Sequence, residues 1–85
     1  MPYFVYMLLT KHKDRFISYV GYTKDLSYRL SLHNSSKGAK FTKGKKWIII
    51  YQKKYSKKSD AMKGEYVLKK DYKLRAKIKN NFIKK

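Results

Sequence analysis

The sequence predicts an α+β domain: a small three-stranded, mainly antiparallel sheet flanked by helices, in the order β-β-α-β-α-α. Three observations predict it. Two β-rich apolar runs, Tyr3–Leu9 and Phe16–Tyr22, lie either side of a short polar stretch, the pattern of a hairpin. A third such run begins at Trp47, far from the first two. The segments after the second and third runs carry apolar residues four apart, which is helical spacing.

Taken in order, Tyr3–Leu9 is apolar at nearly every position and is read as a strand covered on both faces. Lys11–Arg15 is a polar turn, and Phe16–Tyr22 is the hairpin partner. Thr23 stands where a cap is needed for a helix from Lys24 to about His33, with Leu26 and Leu30 as its inner stripe. Asn34–Lys46 mixes Ser, Gly and Asn with lysines and has no apolar period, so it is expected as a basic loop with room for one short turn of helix. Trp47–Tyr51, extensible to Tyr55, is the third strand. Ser56 or Ser59 is expected to cap a second helix ending near Lys70. A last basic helix, roughly Tyr72–Phe82, has Leu74, Ile78 and Phe82 on one side. No repeat or linker interrupts the chain, so residues 1–85 are expected to form one domain.

Composition limits the function classes. At 42% apolar residues the chain is globular despite its charge. Without cysteine it has no disulfide, no thiolate zinc site and no cysteine nucleophile. No apolar window is long enough to span a bilayer, and the N-terminal residues lack a basic lead and a cleavage site, so a cytoplasmic protein is expected. The 23 Lys+Arg against 5 Asp+Glu leave +18 charges, an excess that predicts a polyanionic partner, nucleic acid first, DNA before RNA. The competing reading is a lysine-rich solvated surface. A membrane surface fits less well, because no basic amphipathic helix stands apart from the fold. No protein partner is indicated.

A few polar groups that are not lysine stand out. Glu65 is the only glutamate. On a wheel of about 100° per residue, Ala61, Met62, Leu68 and Tyr72 fall within about 60° of it. A carboxylate on that apolar face needs a compensating partner: a metal ion, a tyrosine hydroxyl or a lysine. Arg29 and His33 are four apart and project from one side of the first helix. Arginine where lysine is the rule suits a two-pronged grip on phosphate; His33, beside the Leu26/Leu30 stripe, is expected to be half-buried and is either a packing residue or a functional one. Tyr6 and Tyr19 lie 13 residues apart on the two hairpin strands. A tyrosine acting as a base needs positive charge nearby to lower its pKa from about 10. In the loop, Lys37, Lys40, Lys43, Lys45 and Lys46 surround Phe41, a set suited to phosphate contacts and base stacking.

Together these residues resemble the GIY-YIG nuclease superfamily, closest to its small bacterial UPF0213 and UvrC-like members, over roughly Tyr3 to Arg75. Phe4-Val5-Tyr6 is similar to the first box and Tyr19-Val20-Gly21 to the second. Asp25–Asn34 is similar to the helix bearing the family's arginine and histidine, Lys37–Gly44 to a following "KGAK-T-G" segment, and Ser59–Glu65 to the helix that supplies the metal-binding glutamate. The resemblance implies a metal-dependent endonuclease. One Mg²⁺ or Mn²⁺ would be held by Glu65, with Tyr6 activating water and Tyr19 orienting water or phosphate. Arg29 would stabilise the developing charge, and His33 would assist Tyr6 or bind a phosphate oxygen. The alternative is a catalytically silent, basic nucleic-acid-binding module. Three departures carry expectations. Phe4 replaces the first box's glycine. The long connection Met7–Ser18 is expected to lengthen the hairpin turn. Asn80 or Asn81 stands near where many members have a site asparagine.

Overall fold

The first strand, β1 (Tyr3–His12), lies at the centre of the sheet, in the order β2-β1-β3. Its sequence suits that place: every residue from Val5 to Thr10 is buried. On one side it pairs antiparallel with β2 (Arg15–Thr23), setting Tyr6 opposite Gly21 and Leu8 opposite Tyr19. On the other it pairs antiparallel with β3 (Ile48–Tyr55), with a register shift between Met7 and Leu8. This computed structural model describes residues 2–84; residues 1 and 85, the ends of the expected domain, lie outside the described residues.

The long connection between the two tyrosine boxes does not lengthen the turn. It lengthens the strands. His12 pairs with Arg15 across only Lys13 and Asp14, whose φ angles of 50° and 65° make a tight two-residue turn. Turns with positive φ at both positions match the right-handed twist of a hairpin, so the extra residues go into the ladder.

Alternation along β1 sends side chains to two small cores. Val5 and Met7, with Val20, pack on Ala61 and Leu68 of α2 (Lys58–Lys70), and Ile78 of α3 (Tyr72–Ile83) closes that side. Tyr6 and Leu8 face the other way, towards Trp47, Tyr19 and the Leu26/Leu30 stripe of α1 (Leu26–Asn34). Trp47, expected to open the third strand, instead sits just before it and is almost completely buried.

The caps differ from expectation. Asp25, not Thr23, caps α1: its carboxylate accepts the Tyr28 N–H at 3.0 Å, while the Thr23 hydroxyl accepts the Asp25 N–H at 3.2 Å. A charged acceptor is the better partner for a helix N-terminus. Neither Ser56 nor Ser59 caps α2, which starts after Lys57 without a side-chain cap and carries Asp60 in its first turn. Asp71 separates α2 from α3 and caps the latter through the Leu74 N–H. Arg75 Nε donates to the Leu68 carbonyl at 3.1 Å and fixes that corner. Among the described residues no helix is long and apolar enough to cross a membrane.

Candidate active site

The site is built around Tyr6, whose side chain leaves the central strand on the α1 side of the sheet. Its ring occupies the space that Gly21 leaves free on β2: a Cβ at position 21 would stand 2.5 Å from Tyr6 Oη. The glycine serves here as empty space, since Gly21 is not among the positive-φ residues.

His33, on the last turn of α1, is completely buried rather than half-buried. It lies under the loop, which sequence periodicity does not register. Its Nε2 and the Tyr6 hydroxyl are hydrogen-bonded at 2.9 Å. Its Nδ1 is hydrogen-bonded at 2.8 Å to the hydroxyl of Thr42, which is also completely buried. Gly38 leaves room for the ring: a Cβ there would stand 2.5 Å from His33 Nδ1.

The basic loop is therefore held firmly. It contains a short 3₁₀ turn, Lys40–Thr42. Ser36, just past α1 at φ 64°, completes the helix end: the Lys37 N–H reaches the Leu32 carbonyl at 2.8 Å. Its hydroxyl accepts the Gly44 N–H at 3.0 Å. The Trp47 indole N–H donates to the Thr42 carbonyl at 3.0 Å, and the Asn34 side chain accepts from the Trp47 N–H at 2.6 Å and donates to its carbonyl at 3.1 Å.

Tyr19 lines the site beside His33, with ring centres 5.1 Å apart, and stacks on Phe41 at 6.1 Å and 21°. Phe41 is half exposed, and Lys45 Nζ lies 5.7 Å from its ring centre while donating to its carbonyl. Lys37, Lys40, Lys43 and Lys46 are exposed; Lys45 is half-buried by its engagement with Phe41.

Arg29, one turn before His33, is half-buried, and its Nε is buried with no hydrogen-bond partner among the described residues. Glu65 approaches from α2. Its side chain is 21% exposed, and its nearest opposite charge is Lys69 Nζ at 3.8 Å. The lone glutamate thus lies between the buried Ala61 and Leu68, as the wheel requires, with a lysine as its ionic partner. Asn80 and Asn81 are both exposed on α3.

The electrostatics couple these groups. Burial raises the Tyr6 pKa above 10; the Arg29 guanidinium pulls it back, and Tyr19 and Glu65 add to the rise. The expected cation is thus in place, yet burial outweighs it, and Tyr6 rests as a phenol. Burial, aided by the Arg29 charge, lowers the His33 pKa, so the imidazole rests neutral. Tyr19, Arg29 and Glu65 therefore all act on the Tyr6 hydroxyl, which His33 hydrogen-bonds.

Among the described residues no three His, Asp or Glu side chains cluster tightly enough to hold a metal alone. Glu65 offers one hard oxygen donor whose present partner is a half-exposed ammonium at long range. One carboxylate, completed by water and substrate phosphate, is a usual way to hold Mg²⁺, so the donor set fits a single hard divalent cation.

Gly21, Asn34, Gly38, Thr42 and Trp47 also shape the site, and sequence reasoning gave them no role. The signal was the position of Gly38 and Thr42 inside the loop segment, of Gly21 inside the second box and of Asn34 at the end of the Asp25–Asn34 helix segment.

Comparison with known proteins places these features in context. The profile of the GIY-YIG catalytic domain matches residues 2–79. A UPF0213 protein of Staphylococcus haemolyticus is 42% identical over 65 residues, covering 75% of this chain and 78% of that one. A UPF0213 protein of Oceanobacillus iheyensis is 41% identical over 65 residues, covering 75% and 74%. One of Staphylococcus epidermidis is 46% identical over 52 residues, covering 60% and 63%. No solved structure matches the chain significantly.

Proposed function

The chain belongs to the GIY-YIG family, whose catalytic domain implies nuclease chemistry on nucleic acids, and on that premise we propose that it is a metal-dependent endonuclease hydrolysing phosphodiester bonds of DNA, single-stranded or structured. One observation carries this reading. The Tyr6–His33 hydrogen bond joins residues 27 apart in sequence and sits where the charges of Arg29 and Glu65 both reach the Tyr6 hydroxyl. A buried, neutral, hydrogen-bonded phenol–imidazole pair beside one arginine and one carboxylate is a costly arrangement for a protein that only binds.

Glu65 would hold Mg²⁺ or Mn²⁺, which when bound supplies Lewis-acid stabilisation of the phosphate and acidifies water. The chain's own groups do the rest. Tyr6 Oη takes a proton from the attacking water while its phenol proton passes to His33, so neither a free phenolate nor a free hydroxide accumulates. The water oxygen forms the new P–O bond, an ester P–O bond breaks, the leaving oxygen is protonated from solvent, and His33 returns its extra proton through Tyr6 to solvent. Arg29, whose charge already reaches the Tyr6 hydroxyl, opposes the charge that grows on the phosphate oxygens. Tyr19 orients water or phosphate. Lys37, Lys40, Lys43, Lys45, Lys46 and Phe41 hold the nucleic-acid backbone and a neighbouring base.

The test is cleavage of labelled single-stranded, duplex and branched DNA, and of RNA, with Mg²⁺ or Mn²⁺, with Glu65→Ala in parallel. Metal-dependent cutting that disappears in the variant while binding persists supports the reading. Binding without cutting in the unaltered protein would instead identify a silent binding module. Loss of binding as well as cutting in a folded Glu65→Ala variant would remove Glu65 from the metal site.

A further inference from the structure

We infer that Thr42 is a positioning residue: it fixes the His33 ring in the tautomer whose Nε2 is unprotonated and faces Tyr6. The catalytic consequence rests on the nuclease reading above; the tautomer itself does not.

The argument is a proton count. The Thr42 hydroxyl has one proton. Its oxygen lies 2.8 Å from the Ala39 carbonyl oxygen, which has no proton to give, so Thr42 donates there. The same hydroxyl oxygen lies 2.8 Å from His33 Nδ1 and has nothing left to donate, so Nδ1–H is the donor of that bond. In a neutral imidazole the other nitrogen is then a bare acceptor. At Nε2, 2.9 Å away, the Tyr6 hydroxyl must donate. The direction runs from Tyr6 through His33 and Thr42 to the Ala39 carbonyl.

Among the described residues the ring nitrogens have no hydrogen-bond partners besides Tyr6 and Thr42. His33 and Thr42 are both completely buried, and each nitrogen of His33 has one protein partner. Thr42 in turn cannot drift: its own N–H also reaches the Ala39 carbonyl at 3.1 Å, and the Trp47 indole holds its carbonyl. Without the Thr42 hydroxyl, the tautomer with hydrogen on Nε2 becomes available. That tautomer presents a donor to Tyr6 and cannot take its proton, which is the fault a wrong histidine tautomer introduces in any such relay.

The test uses ¹⁵N-histidine NMR, with His12→Gln removing the second histidine's signals. In the otherwise unaltered protein the expected pattern is hydrogen on Nδ1 and a bare Nε2. Thr42→Ser should keep it, and Thr42→Val, nearly isosteric, should lose it. In cleavage assays Thr42→Val should lower kcat by about 10²-fold with KM unchanged, and Thr42→Ser should restore most of the rate. A His33 bearing hydrogen on Nε2, or a Thr42→Val protein that keeps the Nδ1–H pattern, would overturn the inference. The unaltered protein's spectrum decides the matter even if Thr42→Val does not fold. A correct tautomer in a protein that cuts nothing would sink the nuclease reading and leave the assignment standing.

Discussion

Replacing Gly21 by alanine adds one methyl group at a crowded point of the site. The new carbon would stand 2.5 Å from Tyr6 Oη, 2.7 Å from Cζ and 3.1 Å from Cε2. Ordinary contact begins at 3.4 Å, so the hydroxyl must move by about 0.9 Å. It has little freedom to do so: Tyr6 is 2% exposed and its hydroxyl is bonded at 2.9 Å to a fully buried ring. A shift of that size away from His33 breaks the bond. Overpacking costs about 1–3 kcal/mol and the lost hydrogen bond about 1 kcal/mol, so unfolding in urea should show a loss of about 2–4 kcal/mol. Misplacing a reacting group by about 1 Å costs roughly 10²-fold, so single-turnover cleavage under folding conditions should fall at least that far. Gly44→Ala is the control. At φ 77° with nothing within 4 Å, it adds the same methyl group at a cost of about 1–2 kcal/mol of backbone strain and no loss of cleavage. Native cleavage by Gly21→Ala, or equal rate losses at the two glycines, would refute the claim that Gly21 is kept small to seat Tyr6.

Two further outcomes are expected. His33 must be unprotonated to accept from Tyr6, and its pKa lies below the usual value of about 6.5, so kcat/KM should hold below that pH and fall only in more acid solution; an acid limb at or above it would contradict the buried neutral imidazole. The same shift makes His33 stabilising above the unfolded value and progressively less so as pH falls towards the folded one, which denaturation midpoints across that window will report. At the hairpin, Lys13 and Asp14 adopt positive φ that Asn-Gly accommodates better, so the double change Lys13→Asn, Asp14→Gly should add about 1–2 kcal/mol, or roughly 4–8 °C of Tm per kcal/mol, with cleavage unchanged; a lower Tm would count against the turn assignment.

The α+β class and the element order were legible because strand and helix periods are local. Ala61 and Leu68 declare their face within a few neighbours, and the wheel put Glu65 on the inner side of its helix for the same reason. Caps were less legible, since Thr23 and Asp25 both suit the role and only the chain's actual path selects the charged one. The relay was not legible from periodicity at all. Its links join positions 27 and 9 apart, and a hydrogen bond leaves no periodic trace. The loop misled in a particular way: Gly38 reads as flexibility, whereas its lack of a side chain admits His33. The hairpin misled because strand length is set by the turn, and the tight turn lay hidden behind Lys13, a residue not typical of one.

The central strand carries one more consequence. β1 is hydrogen-bonded along both edges, so the amide of Tyr6 belongs to the part of the molecule that opens only when everything opens. The candidate site is then no more pliable than the whole fold. On the nuclease reading proposed above, adaptation to new substrates would have to come from the rim, where Phe41 and the exposed lysines can change without disturbing the ladder. Substitutions in the strand itself will be felt first as fewer folded molecules rather than as altered preference.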